Sequence, residues 1–362
     1  MSEEEILRKA LKPPKVDSAL IVQLCQEEFG LENATVEKEF DSYDDRNYLI
    51  SATRGSFVFK VHNGADSRPE RETFLDAQNK LLLHLHKNKV AAPVPLPLAS
   101  NPNQHIIYKE LQRPDGKKVR HGIRLLAYLP GKLMCEVEHT DAVLADLGAS
   151  LARMDLALQS FDHPGCHRVH LWDLQHLSQL HVFLPHITDD SKRALATKVM
   201  ERYEAQVPQL ASALPSCVLQ NDANDHNIVM SEDGSGVSGF LDFGDVVHSW
   251  RINELAICIA YACLEKSDLQ HVASTIGREY QAILPLTPAE LSLLHTLTAA
   301  RLCQSCIMSA YSFSQDPTNT YLLVTAAPGW QALQALVDMD DAQVKAFNFG
   351  HAPPAAKHGK QA

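Results

Sequence analysis

The stretch Gln220-Asn-Asp-Ala-Asn-Asp-His-Asn227 puts a carboxylate, Asp222, and an amide oxygen donor, Asn227, into a single short polar loop. A hairpin later comes Leu241-Asp-Phe-Gly244, in which a second carboxylate, Asp242, precedes a glycine that permits a sharp turn. Phosphoryl transfer from a nucleoside triphosphate needs groups in this order. An acidic residue takes or orients the hydrogen of the attacking hydroxyl, and an Asn and an Asp offer oxygens to Mg2+. The reaction also needs a protein cation for the phosphate oxygens. Lys60 is the candidate, because Phe57-Val-Phe-Lys-Val61 is an apolar strand in which one charge is out of character. The alternative for Lys60 is an exposed edge lysine. In the polar stretch Ser42-Tyr-Asp-Asp-Arg-Asn-Tyr48, Ser42 and nearby backbone amides can cover phosphates, and a plain polar turn is the alternative.

Other chemistries fit less well. Read as a calcium loop, residues 222–227 lack the glycine and the terminal glutamate such a loop uses. No G-x-x-x-x-G-K-[ST] occurs, which disfavours a P-loop. Cys303-Gln-Ser-Cys306 has no second pair at ligand spacing and is not expected to hold zinc or act as a redox pair.

The elements that must position these groups change character along the chain. Asp17 caps an expected helix over 19–29 that stops at Gly30. Short strands follow at 36–40, 47–53 and 56–62, the last two joined by Arg54-Gly55. Ser67-Arg-Pro-Glu70 reads as a capping box opening an amphipathic helix to about Leu85. Two more strands lie near 104–111 and 119–128. Beyond Pro130-Gly131 the pattern is mostly helical, clearest at 140–159, 190–206, 251–264 and 287–311, the last with Thr287-Pro-Ala-Glu290 as a second capping box. A hairpin, 226–231 with 238–242, interrupts the helices. The expected fold class is α+β, with a small antiparallel-sheet lobe over 1–126, a hinge at 127–131, a larger mainly helical lobe over 132–345 and a disordered tail over 346–362. A cleft between such lobes is a common place for a small-molecule site.

A chain of 362 residues accommodates one large domain or two modest lobes. Its formal net charge of -11 argues against general nucleic-acid binding and suits a cationic small substrate. No apolar run reaches the roughly 20 residues of a membrane helix. The start, Met-Ser-Glu-Glu-Glu, lacks the apolar core of a secretory leader. Eight scattered cysteines, several in apolar helical contexts, read as free thiols of a cytoplasmic protein.

Taken together, these residues resemble the aminoglycoside phosphotransferase and choline kinase superfamily, which has the protein-kinase-like fold. The likeness covers about residues 18 to 340. Further segments carry it: Ser42-Tyr-Asp-Asp45, Arg124-Leu-Leu-Ala-Tyr-Leu-Pro-Gly131, Leu241-Asp-Phe-Gly-Asp245, Cys303-Gln-Ser305, Ala310-Tyr-Ser312, Val324-Thr-Ala326 and Gly329-Trp330. The late helical segments point to the subfamily that phosphorylates hydroxylysine. The resemblance implies a bilobal kinase that moves the γ-phosphoryl of GTP, or ATP, to the hydroxyl of 5-hydroxy-L-lysine. It implies Asp222 as catalytic base, Asn227 and Asp242 on Mg2+, Lys60 on phosphates, and the backbone from Ala127 to Leu129 against the nucleobase. Other amino alcohols (choline, ethanolamine, homoserine, an aminoglycoside) and a nucleotide-binding pseudokinase are the alternatives. For the acceptor's amines, Asp225, Asp245 and Glu254 are candidates, and Arg301 for its carboxylate. Two departures stand out. Gln220 and Asn221 replace the usual His and Gly before the catalytic Asp, and Gln78, with Asp76 and Glu72 as nearby alternatives, stands where a helix Glu commonly pairs with the lysine, so that a Gln would orient Lys60 by hydrogen bonding without neutralising it.

Overall fold

A computed structural model of the chain describes residues 7–8, 10–42, 44–113, 115–315 and 326–353. It divides into two compact units, one of residues 1–130 with 163–166, the other of residues 131–162 with 167–362. The architecture is α+β.

The first unit opens on α1 (Ser18–Phe29), where Asp17 accepts the Ala19 N–H at 2.9 Å and Gly30, at φ 64°, ends the helix in the left-handed conformation glycine tolerates. Strands β1 (Thr35–Phe40), β2 (Arg46–Ala52) and β3 (Gly55–Val61) lead to α2 (Glu72–Lys87), then β4 (Ile107–Gln112) and β5 (Lys118–Ala127). They form an antiparallel sheet in the order β1-β2-β3-β5-β4. Alternation along β3 sends Phe57, Phe59 and Val61 into a core with Ile50, Leu125 and Ile123. Lys60 therefore points to the opposite face, between Asn47 and Arg124 in the pairing register.

The expected capping box at Ser67 does not form. A 3-10 turn, Pro69–Arg71, precedes α2 with no side-chain cap. Ser67 Oγ instead donates to the Asn63 carbonyl and accepts the Gly122 N–H, both at 2.8 Å. A buried hydroxyl beside a buried N–H gains more from that bond than from a cap water can replace.

In the second unit, β6 (Lys132–Leu133) and α3 (Asp141–Leu158) come first, then a 3-10 segment, Leu174–His186, and α4 (Asp190–Leu210). There follow β7 (Ser216–Leu219), β8 (Ile228–Met230), β9 (Val237–Phe240), β10 (Val247–Trp250), α5 (Ile252–Ala262), α6 (Leu269–Ile283), α7 (Pro288–Gln315), α8 (Ala326–Val337) and α9 (Asp341–Phe347). β6, β8 and β9 make one small sheet, and β7 pairs with β10 in another. The β7–β10 pairing, absent from the sequence expectations, sets Leu219 against Val247. Four-residue strands leave almost no periodic signal and exist only once their partner is in place.

Helix α5 is buried all round, the mark of a central helix. Helix α7 begins with the expected capping box, Thr287 N–H donating to Glu290 at 2.8 Å and Glu290 N–H to Thr287 Oγ1 at 3.2 Å. Glu290 also receives Arg251 through two nitrogens at 2.9 and 2.6 Å, which ties the start of α5 to the start of α7.

The expected disordered tail is ordered in its first part. Phe347 is buried, and Asn348 accepts the His295 N–H at 2.8 Å and donates to the Ser292 carbonyl at 3.0 Å. One amide thus satisfies two backbone groups of α7 that burial would otherwise leave costly. Residues 354–362, and Val324 and Thr325 of the resemblance, lie outside the described residues.

Gly131 sets the entry to β6. Its φ of 139° is closed to most side chains, and a Cβ there would sit 2.1 Å from the Met230 carbonyl oxygen. Gly131→Ala should cost about 2 kcal/mol or more through strain and clash with β8. A lower urea midpoint of the purified variant checks this, and an unchanged midpoint would refute it.

Candidate active site

The polar loop of residues 220–227 joins β7 to β8, and the 241–245 turn follows β9. Both lie in the second unit, with Asp222, Asp225, Asn227, Asp242, Asp245, Glu254 and Arg301. The loop is held from below. Gln220 Nε2 donates to the carbonyls of Leu241 and Asp242 at 2.6 and 3.1 Å, so this side chain clips the two segments together. Asn221 stands at φ 67°, a left-handed conformation that glycine and, next to it, asparagine adopt most readily. Its N–H is gripped by both Glu254 oxygens at 3.2 and 3.0 Å.

Glu254 therefore faces the loop backbone from a fully buried position on α5, not an acceptor amine. Burial pushes its carboxyl up to about 7, against the backbone N–H groups of Asn221 and Gln220, which favour the charged form.

Asp222 is half-buried at the centre of this arrangement. Its Oδ2 accepts Asn227 Nδ2 at 2.7 Å, and its Oδ1 accepts Arg301 Nη2 at 2.9 Å. Asn227 Nδ2 also donates to the Asp222 carbonyl at 3.0 Å. With its nitrogen so engaged, Asn227 keeps Oδ1 as its available ligand atom. Burial, then the charges of Asp245 and Asp242, push the Asp222 carboxyl up to about 8, and Arg301 pulls against them. Asp242 is exposed at φ 46°, with Oδ1 accepting the Gly244 N–H at 2.9 Å. The Leu241 N–H donates to the Asn227 carbonyl at 2.7 Å and joins the turn to the loop.

The remaining acceptor candidates divide. Arg301 is fully buried on α7 and spends its fork on the protein: Nη1 donates to the Trp172 carbonyl at 3.0 Å and to Gln304 at 3.2 Å, and Nη2 holds Asp222. Its guanidinium lies 4.8 Å from the Trp172 ring centre and 5.5 Å from that of Tyr261. The carboxylate it grips is thus the protein's own. Asp245 pairs with His170 Nε2 at 2.9 Å. Burial would raise its carboxyl, but His170, with Arg168 and Arg301, outweighs burial and holds it at about 2. Arg168, in turn, donates to the Gly244 and Val246 carbonyls at 2.8 and 3.0 Å. Asp225 leaves Oδ1 buried with no hydrogen-bond partner among the described residues.

The first unit carries Lys60, Ser42, Gln78, Ala127 and Leu129. Lys60 Nζ pairs at 2.8 Å with Asp45, on the β1–β2 loop, a residue whose neighbours in sequence suggest no more than a polar turn. Asp45 also accepts the Asn63 N–H at 2.8 Å. Burial alone would raise the Asp45 carboxyl, yet Lys60 and His62 hold it well below the usual carboxylate range.

The expectation that Gln78 orients Lys60 gives way to a different network. Gln78 Oε1 and Asn79 Oδ1 accept from Arg124 at 2.8 and 2.9 Å, and Arg124 Nε donates to His62 Nε2 at 2.8 Å. Burial, then Arg124, lowers His62 to about 4, so it stays neutral with its proton on Nδ1, the nitrogen 3.5 Å from Asp45. A buried arginine at register with Lys60 takes the oxygen of Gln78 because an unpaired guanidinium costs more than a flexible lysine with a carboxylate of its own.

Ser42 is half-buried on the same β1–β2 loop. Ala127 donates its N–H to the Val94 carbonyl at 2.8 Å, and Tyr128 to Ser56 at 3.1 Å. Ala127 thus keeps no free N–H for a base, whereas Leu129 has no backbone partner among the described residues.

Against known proteins, residues 37–291 match the phosphotransferase enzyme family. The hydroxylysine kinase of Xenopus laevis is 30% identical over 356 residues, which cover 93% of this chain and 94% of that protein. A microcompartment-associated aminopropanol kinase shares the fold at a TM-score of 0.70 with 14% identity, covering 89% of this chain and 98% of its own. A kinase of amicoumacin, solved with AMP-PNP and Ca2+, shares it at 0.66 with 14% identity over 95% of this chain and 100% of its own.

Removing one partner of the Arg301–Asp222 pair leaves a charge in low dielectric. Arg301→Leu should destabilise the second unit by roughly 2–4 kcal/mol, less than a fully enclosed pair because Asp222 is part-exposed. Chemical denaturation checks this. Arg301→Lys should restore little, since one ammonium cannot reach Asp222, Gln304 and Trp172 together.

Proposed function

The chain belongs to the phosphotransferase enzyme family and is a phosphotransferase with an alcohol as acceptor; from that premise we propose that it transfers the γ-phosphoryl of GTP, or of ATP, to the hydroxyl of 5-hydroxy-L-lysine. The likeness to a hydroxylysine kinase along nearly the whole chain supports the acceptor. The chemistry rests on one observation: Asp222 is clamped on one oxygen by Arg301 and on the other by Asn227.

In this reading Asp222, ionised once a bound cation offsets the Asp245 and Asp242 charges that, after burial, raise it, receives the hydrogen of the acceptor hydroxyl as that oxygen attacks the γ-phosphorus. The clamp keeps the carboxylate from rotating, so the hydroxyl is aligned before reaction and little freedom is lost at the barrier. Asn227 Oδ1 and the outer oxygen of Asp242 are hard, neutral and anionic donors that fit Mg2+, which needs few protein ligands and keeps its waters. When bound, Mg2+ neutralises charge on the phosphate oxygens. Gln220 ties the segments bearing these two ligands, and so fixes the spacing of Asp242 from Asp222. Lys60, steered by Asp45, supplies the protein's own positive charge to the phosphates.

Asp245 and Asp225 remain the acidic side chains for the acceptor's amines. Asp245 stays ionised across the neutral range beside His170.

Purified protein assayed with GTP and ATP against hydroxylysine, lysine, homoserine, choline and ethanolamine, with products read by mass, tests the reading. Phosphohydroxylysine should dominate, with lysine unreactive for want of the hydroxyl. Faster turnover of choline or homoserine would overturn the acceptor. Asp222→Asn keeps the size of the side chain and should lower kcat by about 100-fold or more while nucleotide affinity holds. Lys60→Met should mainly raise the KM for nucleotide. Chelation by EDTA should stop turnover, and Mg2+ should restore it.

A further inference from the structure

Two residues of the 220–227 loop, Asp225 and His226, stand beside Cys135, and of the three only Asp225 has a place in the reaction above, as one of two acids offered to the acceptor's amines. Cys135 lies in a 3-10 turn, Met134–Glu136, after β6; Asp225 and His226 immediately precede Asn227. Cys135 Sγ stands 3.6 Å from His226 Nδ1, and a carboxylate oxygen of Asp225 completes a group whose ligand atoms all lie within 4.8 Å of one another. The backbone already joins the two segments, the Cys135 N–H donating to the Asp225 carbonyl at 3.2 Å. Asp225 Oδ1 is buried and has no hydrogen-bond partner among the described residues, an arrangement that costs energy unless something satisfies it. Of the eight cysteines, Cys135 is the exposed one.

We propose that Cys135, His226 and Asp225 form a binding site for a borderline-soft divalent cation of the zinc type, separate from the Mg2+ ligands Asn227 and Asp242. The donor set decides the class. A thiolate, an imidazole and a carboxylate suit Zn2+ and Co2+, whereas Mg2+ takes oxygen alone. From bond lengths of about 2.3 Å to sulfur and about 2.0 to 2.1 Å to nitrogen, tetrahedral ligand atoms stand roughly 3.5 Å apart. The Sγ–Nδ1 distance of 3.6 Å already meets that spacing. A carboxylate oxygen of Asp225 lies within 4.8 Å of both atoms, a separation that side-chain rotation can close. Three protein ligands leave a fourth position for water, as in zinc sites that are not purely structural. Binding forms a metal–sulfur bond and releases the thiol proton to solvent, with no change of oxidation state. The cation also answers a local excess of negative charge, since Asp225 and Glu136 both face the thiol and, after burial, act to keep it protonated.

The position gives the site a consequence. A cation held there ties the turn at 134–136 to the two residues before Asn227, and so restricts the loop that carries Asp222. Zinc should therefore slow turnover at a fixed, saturating Mg2+ concentration. The site itself is read without activity, so its failure would leave the proposed reaction standing, and the converse also holds.

The test is titration of the metal-free, reduced full-length protein with Co2+. A single equivalent should produce a thiolate-to-cobalt charge-transfer band. The band should be lost in Cys135→Ser, and affinity should fall about tenfold or more in His226→Gln. In the unaltered protein, Zn2+ should shield Cys135 from iodoacetamide, as peptide mass spectrometry reports, and Mg2+ should not. No band, a band that survives in Cys135→Ser, alkylation unaffected by Zn2+, or equal affinity in His226→Gln (a lone thiol ligand) would each overturn the site.

Discussion

The contact between Arg301 and Asp222 is the constraint on which the second unit is organised. A guanidinium with no solvent exposure demands partners for its donors, and α7 delivers it to the underside of the 220–227 loop. It meets there a carboxylate, a carbonyl and an amide oxygen, with Trp172 and Tyr261 covering its faces. Arginine suits this position because its donors radiate from one rigid plane. The pair does not stabilise cheaply, since both charges give up water. It does determine where one Asp of an acid-rich loop must stand.

The surrounding side chains make the loop a single body. Gln220 spans to the 241–242 carbonyls, Glu254 receives the Asn221 N–H, and Arg168 takes the carbonyls of Gly244 and Val246. Glutamine in place of histidine keeps the bridging role through an amide donor that needs no particular protonation state. Asn221 in place of glycine is accommodated because its backbone conformation is one that asparagine tolerates. Both replacements in this loop thus have ordinary structural accounts, and neither disturbs the side chains of Asp222 and Asn227.

The first unit solves the companion problem, a lysine among buried neighbours. Asp45 neutralises Lys60 from the preceding loop, while Gln78, Asn79 and His62 are occupied by Arg124. Neutral acceptors on α2 are adequate for an arginine that is already charged at every accessible pH, and the anionic partner is reserved for the lysine. The sheet enforces this division, because Lys60 and Arg124 are cross-strand neighbours and like charges that close need separate partners.

Residue order along the chain was enough to mark the polar loop, the Asp-Phe-Gly turn and the strand lysine, because each breaks the local apolar pattern. Strand alternation and capping signals were enough to place most of the sheet and the start of α7. The partners of those groups were not legible. Glu254 and Arg301 looked like candidates for a substrate, yet burial beside unsatisfied backbone and a carboxylate turned both inward. Asp45 looked like one of two acids in a turn, and only the pairing of β2 with β3 put it against Lys60. Local chemistry is written in neighbouring residues. Which charge meets which across a hundred positions is decided by packing, since electrostatic and hydrogen-bond energies depend on separation in space and not along the chain.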